Sequence, residues 1–406
     1  MNEQIPLKGI KVLELASVLA GPSVGMFFAE LGATVLKIEN VTTDGDVTRK
    51  WKLPKEPSDS DISGYFSCVN WGKASFAVNL CEQEGLDIIY RLAAQCDIVL
   101  VSYKPGDAEK LKVDYPTLKK FNEKLIYSHI TGYGLKNPRA GFDAIIQAES
   151  GFTYMNGNPD GPPTKMPVAL MDVLAAHHLK EAILLALLYR ERTGKGQYIE
   201  ASLFKAGLAS LANQATNWLV GGSIPQRLGS DHPNIVPYGT IYRTKDQKEI
   251  VLAAGTDKQY KELIKALGRP ELAEDDRFAK NQSRVKNKKE INAIIQDHIS
   301  QYSREEVLQL LSEKRIPAGG VFNMKEVFEV PESEEMMLAA DYADGRNIQG
   351  VKSVAFDTTD PMKCGQLSPP PHYGEHTAEI LKEWLDFSDN EIENLTKKGV
   401  VYARTK

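Results

Sequence analysis

Gly9-Ile-Lys-Val-Leu-Glu-Leu15, Ala20-Gly-Pro-Ser-Val-Gly-Met-Phe-Phe-Ala-Glu-Leu31 and Thr34-Val-Leu-Lys-Ile-Glu39 follow one another at the start of the chain. Two short runs of branched apolar residues flank one run of helical length. The spacing predicts strands over 11–15 and 34–38 and a helix over 22–31, a βαβ unit. Outward from it, strands are expected at 75–78, 97–101, 125–129 and 198–203, with helices at 85–95 and 114–121. This is a doubly wound parallel sheet in outline, whose ligands bind beyond the carboxyl ends of the strands. The loops there carry Ser17-Val18-Leu19, Ser102-Tyr103-Lys104-Pro105-Gly106 and Thr131-Gly132-Tyr133-Gly134. Glu39 at the end of the second strand invites a ribose contact. The turn Ala20-Gly-Pro-Ser-Val-Gly25 nevertheless lacks the GxGxxG arrangement that admits a pyrophosphate, so NAD is not expected.

Length and charge narrow the class. The chain has 406 residues, 42% hydrophobic and 25% charged, and a formal net charge of -5. Such a chain buries a large core in two or three domains. Its charge argues against a nucleic-acid partner. The short basic segment Arg284-Val-Lys-Asn-Lys-Lys289 reads as a solvated face or loop. Met1-Asn-Glu-Gln-Ile-Pro-Leu-Lys8 has no signal-peptide core, and the apolar run 182–189 is too short to span a bilayer, so a soluble cytoplasmic protein is expected. Cys68, Cys81, Cys96 and Cys364 show no metal or disulfide spacing. The adjacent His177 and His178 point to different helix faces, so no metal site is expected.

One carboxylate stands out. Asp172 is the only charge in Met166-Pro-Val-Ala-Leu-Met-Asp-Val-Leu-Ala-Ala176, which runs into a helical pattern over 173–192 that reads as buried. Asp just before a helix accepts hydrogen bonds from first-turn amides and suits the helix dipole, so a cap is one reading. No Glu or Gln completes a capping box, and the surroundings are apolar. A poorly hydrated carboxylate held ionised by a helix N-terminus is also what a carboxylate nucleophile needs, so catalysis is the other.

Gly194 and Gly196 in Arg192-Thr-Gly-Lys-Gly-Gln197 read as a helix stop and tight turn. Residues 201–225 read as an irregular linker. A second α/β region follows, with a strand at 249–254, a turn at Gly255, a helix at 258–267 and a capping box at Ser303 and Glu306. The tail ends with a helix start at Gly374-Glu-His-Thr377 and a second box at Ser388 and Glu391.

Together these residues resemble the family III CoA-transferases, the group that includes the 2-methylacyl-CoA racemases. The pieces are the opening stretches above, Gly45-Asp-Val-Thr-Arg49, Asn70-Trp-Gly-Lys-Ala-Ser75, Lys104-Pro-Gly106 and Thr131-Gly-Tyr-Gly134. They continue with Gln147-Ala-Glu-Ser-Gly151, Arg192-Thr-Gly-Lys-Gly-Gln197, Ile316-Pro-Ala-Gly-Gly-Val321 and Gly374-Glu-His-Thr377. The resemblance implies a Rossmann-like large α/β domain built from both chain ends (1–200 and 341–406), joined by linkers at 201–225 and 322–340 to a smaller inserted α/β domain at 226–321. It implies an interlocked homodimer. Asp172 then attacks an acyl-CoA thioester, an aspartyl-CoA thioester forms, and an acceptor carboxylic acid leaves as the new acyl-CoA. Coenzyme A, as acyl-CoA, is the substrate, with no metal and no NAD. The implied CoA contacts are Val18, Lys73, Ser102, Tyr103, Lys104, Lys110 and Asp143; Asp143 equally suits a structural cap or ion pair. Ala253-Ala-Gly-Thr256 is the nearest match to the family's mobile Gly-rich loop, or else a plain strand-to-helix turn. The racemases need a His for the second proton transfer, in a Gly-His-Asp segment. Here that segment is Gly141-Phe142-Asp143, so transfer is favoured over a racemase or a silent CoA-binding protein.

Overall fold

The computed structural model describes residues 5–357, 359 and 367–405; Cys364 lies outside them. Two compact units emerge. The first holds Met1–Ser150, Met166–Leu219 and Glu335–Lys406, the second Gly151–Lys165 and Val220–Glu334.

The first unit is built on one seven-stranded sheet. Strands β1 (Lys11–Leu15), β2 (Thr34–Asn40), β3 (Lys73–Val78), β4 (Ile98–Val101), β5 (Ile126–Thr131) and β6 (Gln197–Ser202) are all parallel. They lie in the order β3-β2-β1-β4-β5-β6, and Val401–Tyr402 adds an antiparallel edge beside β3. Strands covered on both faces must be apolar throughout, which is why β4 is a continuous Ile-Val-Leu-Val run, wholly buried. The order reverses at β1, which pairs with both β2 and β4. In such sheets the reversal opens a crevice beyond the strand ends.

The first helix, Ala20–Glu30, is buried along almost its whole length. Its glycines serve close packing. A Cβ on Gly21 would fall 2.5 Å from the Cβ of Ala16, and one on Gly25 1.8 Å from Glu14 Oε2.

Several expectations need correction. The Asp172 helix begins earlier than predicted, spanning Leu170–Thr193, so Asp172 lies inside the first turn and not before it. The helix is also not buried all round, because Leu184, Leu185, Leu188 and Tyr189 are exposed. The stretch 114–121 keeps only one turn, Tyr115–Leu118, around Pro116. The presumed linker at 201–225 carries two helices, Leu203–Ala209 and Asn213–Leu219. Residues 337–351, near the second presumed linker, form an antiparallel hairpin. Gly194 does close the long helix, in the left-handed conformation at φ 72°.

The second unit packs helices against an antiparallel three-stranded sheet, Tyr238–Arg243, Glu249–Ala253 and Ala318–Gly320. The boxes at Ser303 and Glu306 and, in the first unit, at Ser388 and Glu391 both form. Arg284 is not a solvated charge: fully buried, it donates to the Val236 and Phe278 carbonyls and to Asp257 Oδ1. Among the described residues no helix is long and apolar enough to cross a membrane, and no group of three or more His, Cys, Asp or Glu is placed to hold a metal.

Candidate active site

Beyond the ends of β1, β4 and β5 lies a cleft of about 290 Å³. Its walls include Val18, Ser102, Tyr103, Lys104, Gly132, Gly141, Phe142, Asp143 and Asp172. The fold thus brings together six of the eight residues singled out from sequence. A larger cleft of about 560 Å³ lies beyond the ends of β1 to β4 and shares Ser17, Ser102 and Tyr103 with the first.

Two carboxylates dominate the smaller cleft, and they are held differently. Asp143 opens the helix Asp143–Glu149. Its Oδ1 accepts from the Met171 backbone N–H at 2.8 Å, and its Oδ2 from Gln147 Nε2 at 2.7 Å. The cap of the Leu170–Thr193 helix therefore falls to Asp143, one of the two roles the sequence left open for it. Gln147 is fully buried, and its Oε1 accepts from Met166 N–H at 2.9 Å, tying down the chain that leads into that helix.

Asp172, displaced from the cap position by one turn of helix, accepts no hydrogen bond among the described residues. Burial, and then the charge of Asp143, push its carboxyl up to about 7. The upward direction runs against the sequence reading of a carboxylate held ionised by the helix N-terminus, and the Met171 amide of the first turn donates to Asp143 instead.

The loop that carries Asp143 is fixed by glycine. Gly132 and Gly141 cross so closely that a Cβ on either would fall within 2.4 Å of the other's backbone. Val18, which also lines the cleft, adopts a φ of 71°, a strained conformation for a β-branched residue. Tyr103 is held through its carbonyl, 2.8 Å from His129 Nε2.

The lysines divide. Lys104 lines the cleft and forms no ion pair among the described residues. Lys73 does not reach it: only 2% exposed, it pairs with Glu14 and donates to the Pro22 carbonyl and Asn70 Oδ1. Lys110 lies outside both clefts and pairs with Asp107 on the surface. Glu39 has no capacity left for a ribose, since Arg49, Ser75 Oγ and the Asp46 N–H occupy its two oxygens. Ala253–Thr256 takes the form of a strand-to-helix turn, with Thr256 and Gln259 closing a capping box.

Sequence reasoning missed Arg139, Tyr65 and Asp46. Arg139 lines the Asp172 cleft with its guanidinium on Glu149 at 2.5 Å. Glu149 also accepts from Tyr133 Oη. Tyr65 feels the charges of Asp172 and Asp143; burial first and these charges next push its phenol up to about 12. Nothing in its local sequence marks it. Asp46 did carry a signal, the Gly45-Asp-Val-Thr-Arg49 motif.

Compared with known proteins, residues 7–377 match the model of CoA-transferase family III. The chain belongs to this family. As a family III CoA-transferase it is an enzyme that acts on CoA thioesters. It is 37% identical over 390 residues to a succinate–glutarate CoA-transferase of Agrobacterium fabrum, covering 94% of this chain and 96% of that protein. It is 35% identical over 407 residues to the succinyl-CoA:glutarate CoA-transferase of Homo sapiens, covering 99% and 91%. Among solved structures, a CAIB/BAIF family protein from Brucella suis superposes with a TM-score of 0.83 at 37% identity, covering 93% of this chain and 99% of that one.

Proposed function

We propose that this family III CoA-transferase moves CoA from succinyl-CoA, or a similar dicarboxylic acyl-CoA, to a second dicarboxylic acid such as glutarate, with Asp172 as the covalent nucleophile. The observation that carries the reading is a carboxylate without a hydrogen-bond partner in a cleft at the sheet's reversal point. The substrate class comes from the relatives' names.

The steps balance without an external acid or base. An Asp172 oxygen bonds to the thioester carbonyl carbon, and the C–S bond breaks to give a mixed anhydride and CoA thiolate. The thiolate attacks the aspartyl carbonyl and expels the donor acid, leaving an aspartyl-CoA thioester. The acceptor carboxylate attacks that thioester, and the released thiolate then attacks the acceptor carbonyl, freeing Asp172. A partly dehydrated, unpartnered carboxylate is the more nucleophilic for lacking donors. Lys104 and Arg139 supply positive charge along the cleft for CoA phosphate or substrate carboxylate, and the larger cleft has room for the rest of CoA. The contacts carried by Val18, Ser102 and Tyr103 belong to the same reading.

The same reading includes an interlocked homodimer. Its support is the exposed apolar face of the long helix at Leu184, Leu185 and Leu188, with Trp218 and Leu219 on the helix Asn213–Leu219. Light scattering that returns a monomer mass at micromolar concentration would remove that part.

Oxygen tracing tests the chemistry. With glutarate labelled by oxygen-18 in its carboxylates, one label passes to Asp172 and then to the succinate released in the next turnover. Succinate labelled only from solvent water would indicate hydrolysis and defeat the proposal.

A further inference from the structure

Beside the Asp172 cleft, and partly lining the larger one through Lys37 and Asp46, lies a cluster of charges that the transfer steps do not use. Glu14, Lys37, Asp46 and Lys73 are at most 4% exposed. Lys37 Nζ contacts Asp46 Oδ2 at 2.9 Å, the Ala16 carbonyl at 3.0 Å and Glu14 Oε1 at 3.4 Å. Lys73 Nζ contacts Glu14 Oε2 at 2.9 Å, Asn70 Oδ1 at 2.9 Å and the Pro22 carbonyl at 2.8 Å. Asp46 Oδ2 accepts from the Val18 N–H at 3.3 Å, while its Oδ1 accepts from the Thr48 N–H and hydroxyl.

These contacts converge on one short piece of backbone. Ala16, Val18 and Pro22 are each gripped by a buried charge, and between them the chain turns from β1 into the first helix. That turn puts Val18 at φ 71° on the wall of the Asp172 cleft. A β-branched residue does not rest there unaided; the left-handed conformation costs a non-glycine residue about 1–2 kcal/mol, and such strain persists only where its surroundings enforce it.

We propose that Asp46, oriented by Lys37 and Thr48, is a positioning residue that holds Val18 in its left-handed conformation and so sets the wall against which the acyl-CoA is placed for Asp172. Glu14 and Lys73 complete the grip at the two flanking carbonyls. The pKa directions fit an ionised Lys37–Asp46 pair: despite burial, the charges of Asp46 and Glu14 raise Lys37 to about 12 and the charge of Lys37 holds Asp46 below the ordinary range, whereas burial lowers Lys73 to about 8. The proposal rests on the reading that this cleft takes the acyl-CoA.

A double-mutant cycle between Asp46 and Val18 tests it. Asp46→Asn places an amide NH₂ toward either Val18 N–H or Thr48 N–H, so one acceptor is lost. The expected result is a fall of about 5- to 30-fold in kcat/KM for succinyl-CoA, the factor that corresponds to the left-handed penalty, carried mainly by KM. Val18→Gly, which adopts positive φ freely, removes a side chain of the cleft wall and lowers kcat/KM in the wild type, but costs several-fold less in the Asp46→Asn background, so that the two losses are less than additive. Equal effects of Val18→Gly in the two backgrounds, or an Asp46→Asn variant with lowered melting temperature and unaltered kcat/KM, overturn the proposal. If Asp46→Asn does not fold, Thr48→Val replaces it in the cycle, with the same sign and a loss of about threefold. Asp172→Asn is run alongside. If it abolishes transfer while the cycle is additive, only the positioning role falls; if it transfers CoA normally, the cleft reading falls and the proposal with it.

Discussion

Two sets of carboxylates close to the turn after β1 have surroundings opposite in kind, Glu14 and Asp46 buried and Asp172 half-buried. Glu14 and Asp46 sit among lysines, hydrogen-bonded and charge-balanced. Asp172 sits beside a second carboxylate, with no cation paired to it among the described residues. Burial alone raises the pKa of any carboxyl. For Asp46, the charge and hydrogen bonds of Lys37, with those of Thr48, reverse the effect and hold it below the ordinary range. For Asp172 the nearby charge is of the same sign and adds to burial. The carboxylates among the lysines are paired, and the one proposed as the nucleophile has no cation partner among the described residues.

The sharpest way to break this contrast is to remove Asp172. Asp172→Asn is expected to lower the transfer rate by about 10⁴-fold or more, while isothermal titration finds CoA affinity changed by less than about threefold. A variant with substantial turnover would place the nucleophile elsewhere.

On the other side, Lys73→Met leaves Glu14 buried without its closest cation. A loss of about 3–5 kcal/mol in urea unfolding is expected. A weakened CoA affinity in a protein of undiminished stability would instead return Lys73 to the role the resemblance implied.

The third test uses stability against pH. In the folded chain burial and the Asp143 charge push the Asp172 carboxyl up to about 7, whereas an unfolded aspartate titrates near 4. Asp172 therefore carries no penalty below the lower value, a growing one as pH rises between the two, and the full one above pH 7. Asp172→Asn should raise unfolding free energy at pH 8 by about 1–3 kcal/mol and not at pH 4. An equal change at both pH values would mean that the carboxyl is not perturbed.

The smallest effect expected is a displaced pH profile. In the free enzyme kcat/KM should rise with pH through about 7 as Asp172 ionises. Asp143→Asn keeps an oxygen for the Met171 N–H and removes the neighbouring charge, so the inflection moves to lower pH. An inflection that stays in place would show that Asp143 acts only as a cap.

Much of this molecule was legible in its sequence, and the failures share a cause. The opening βαβ unit and the parallel sheet followed from apolar runs and helical spacing, which report directly on burial. Asp172 stood out because a lone charge in an apolar stretch must be explained. Which of two aspartates takes the helix amides was not legible: Asp143 lies 29 positions earlier in the chain and meets the helix only in three dimensions. Arg284 was misread, and the surroundings of Lys73 and Lys110 were not legible, for a related reason. Long basic side chains are compatible with surface, cleft or core, and only their partners decide. Lys73 found Glu14 and Arg284 found Asp257, whereas Lys110 stayed in solvent. The Gly132–Gly141 crossing was likewise hidden, because a glycine does not announce what approaches it.

The most direct test of the central claim is mass spectrometry of the enzyme mixed with succinyl-CoA, with hydroxylamine added to trap acyl intermediates, followed by peptide mapping. A CoA adduct or hydroxamate on the peptide that contains Asp172, absent from Asp172→Asn, is the predicted result. Steady turnover with no adduct on Asp172, or an adduct on another residue, would contradict it.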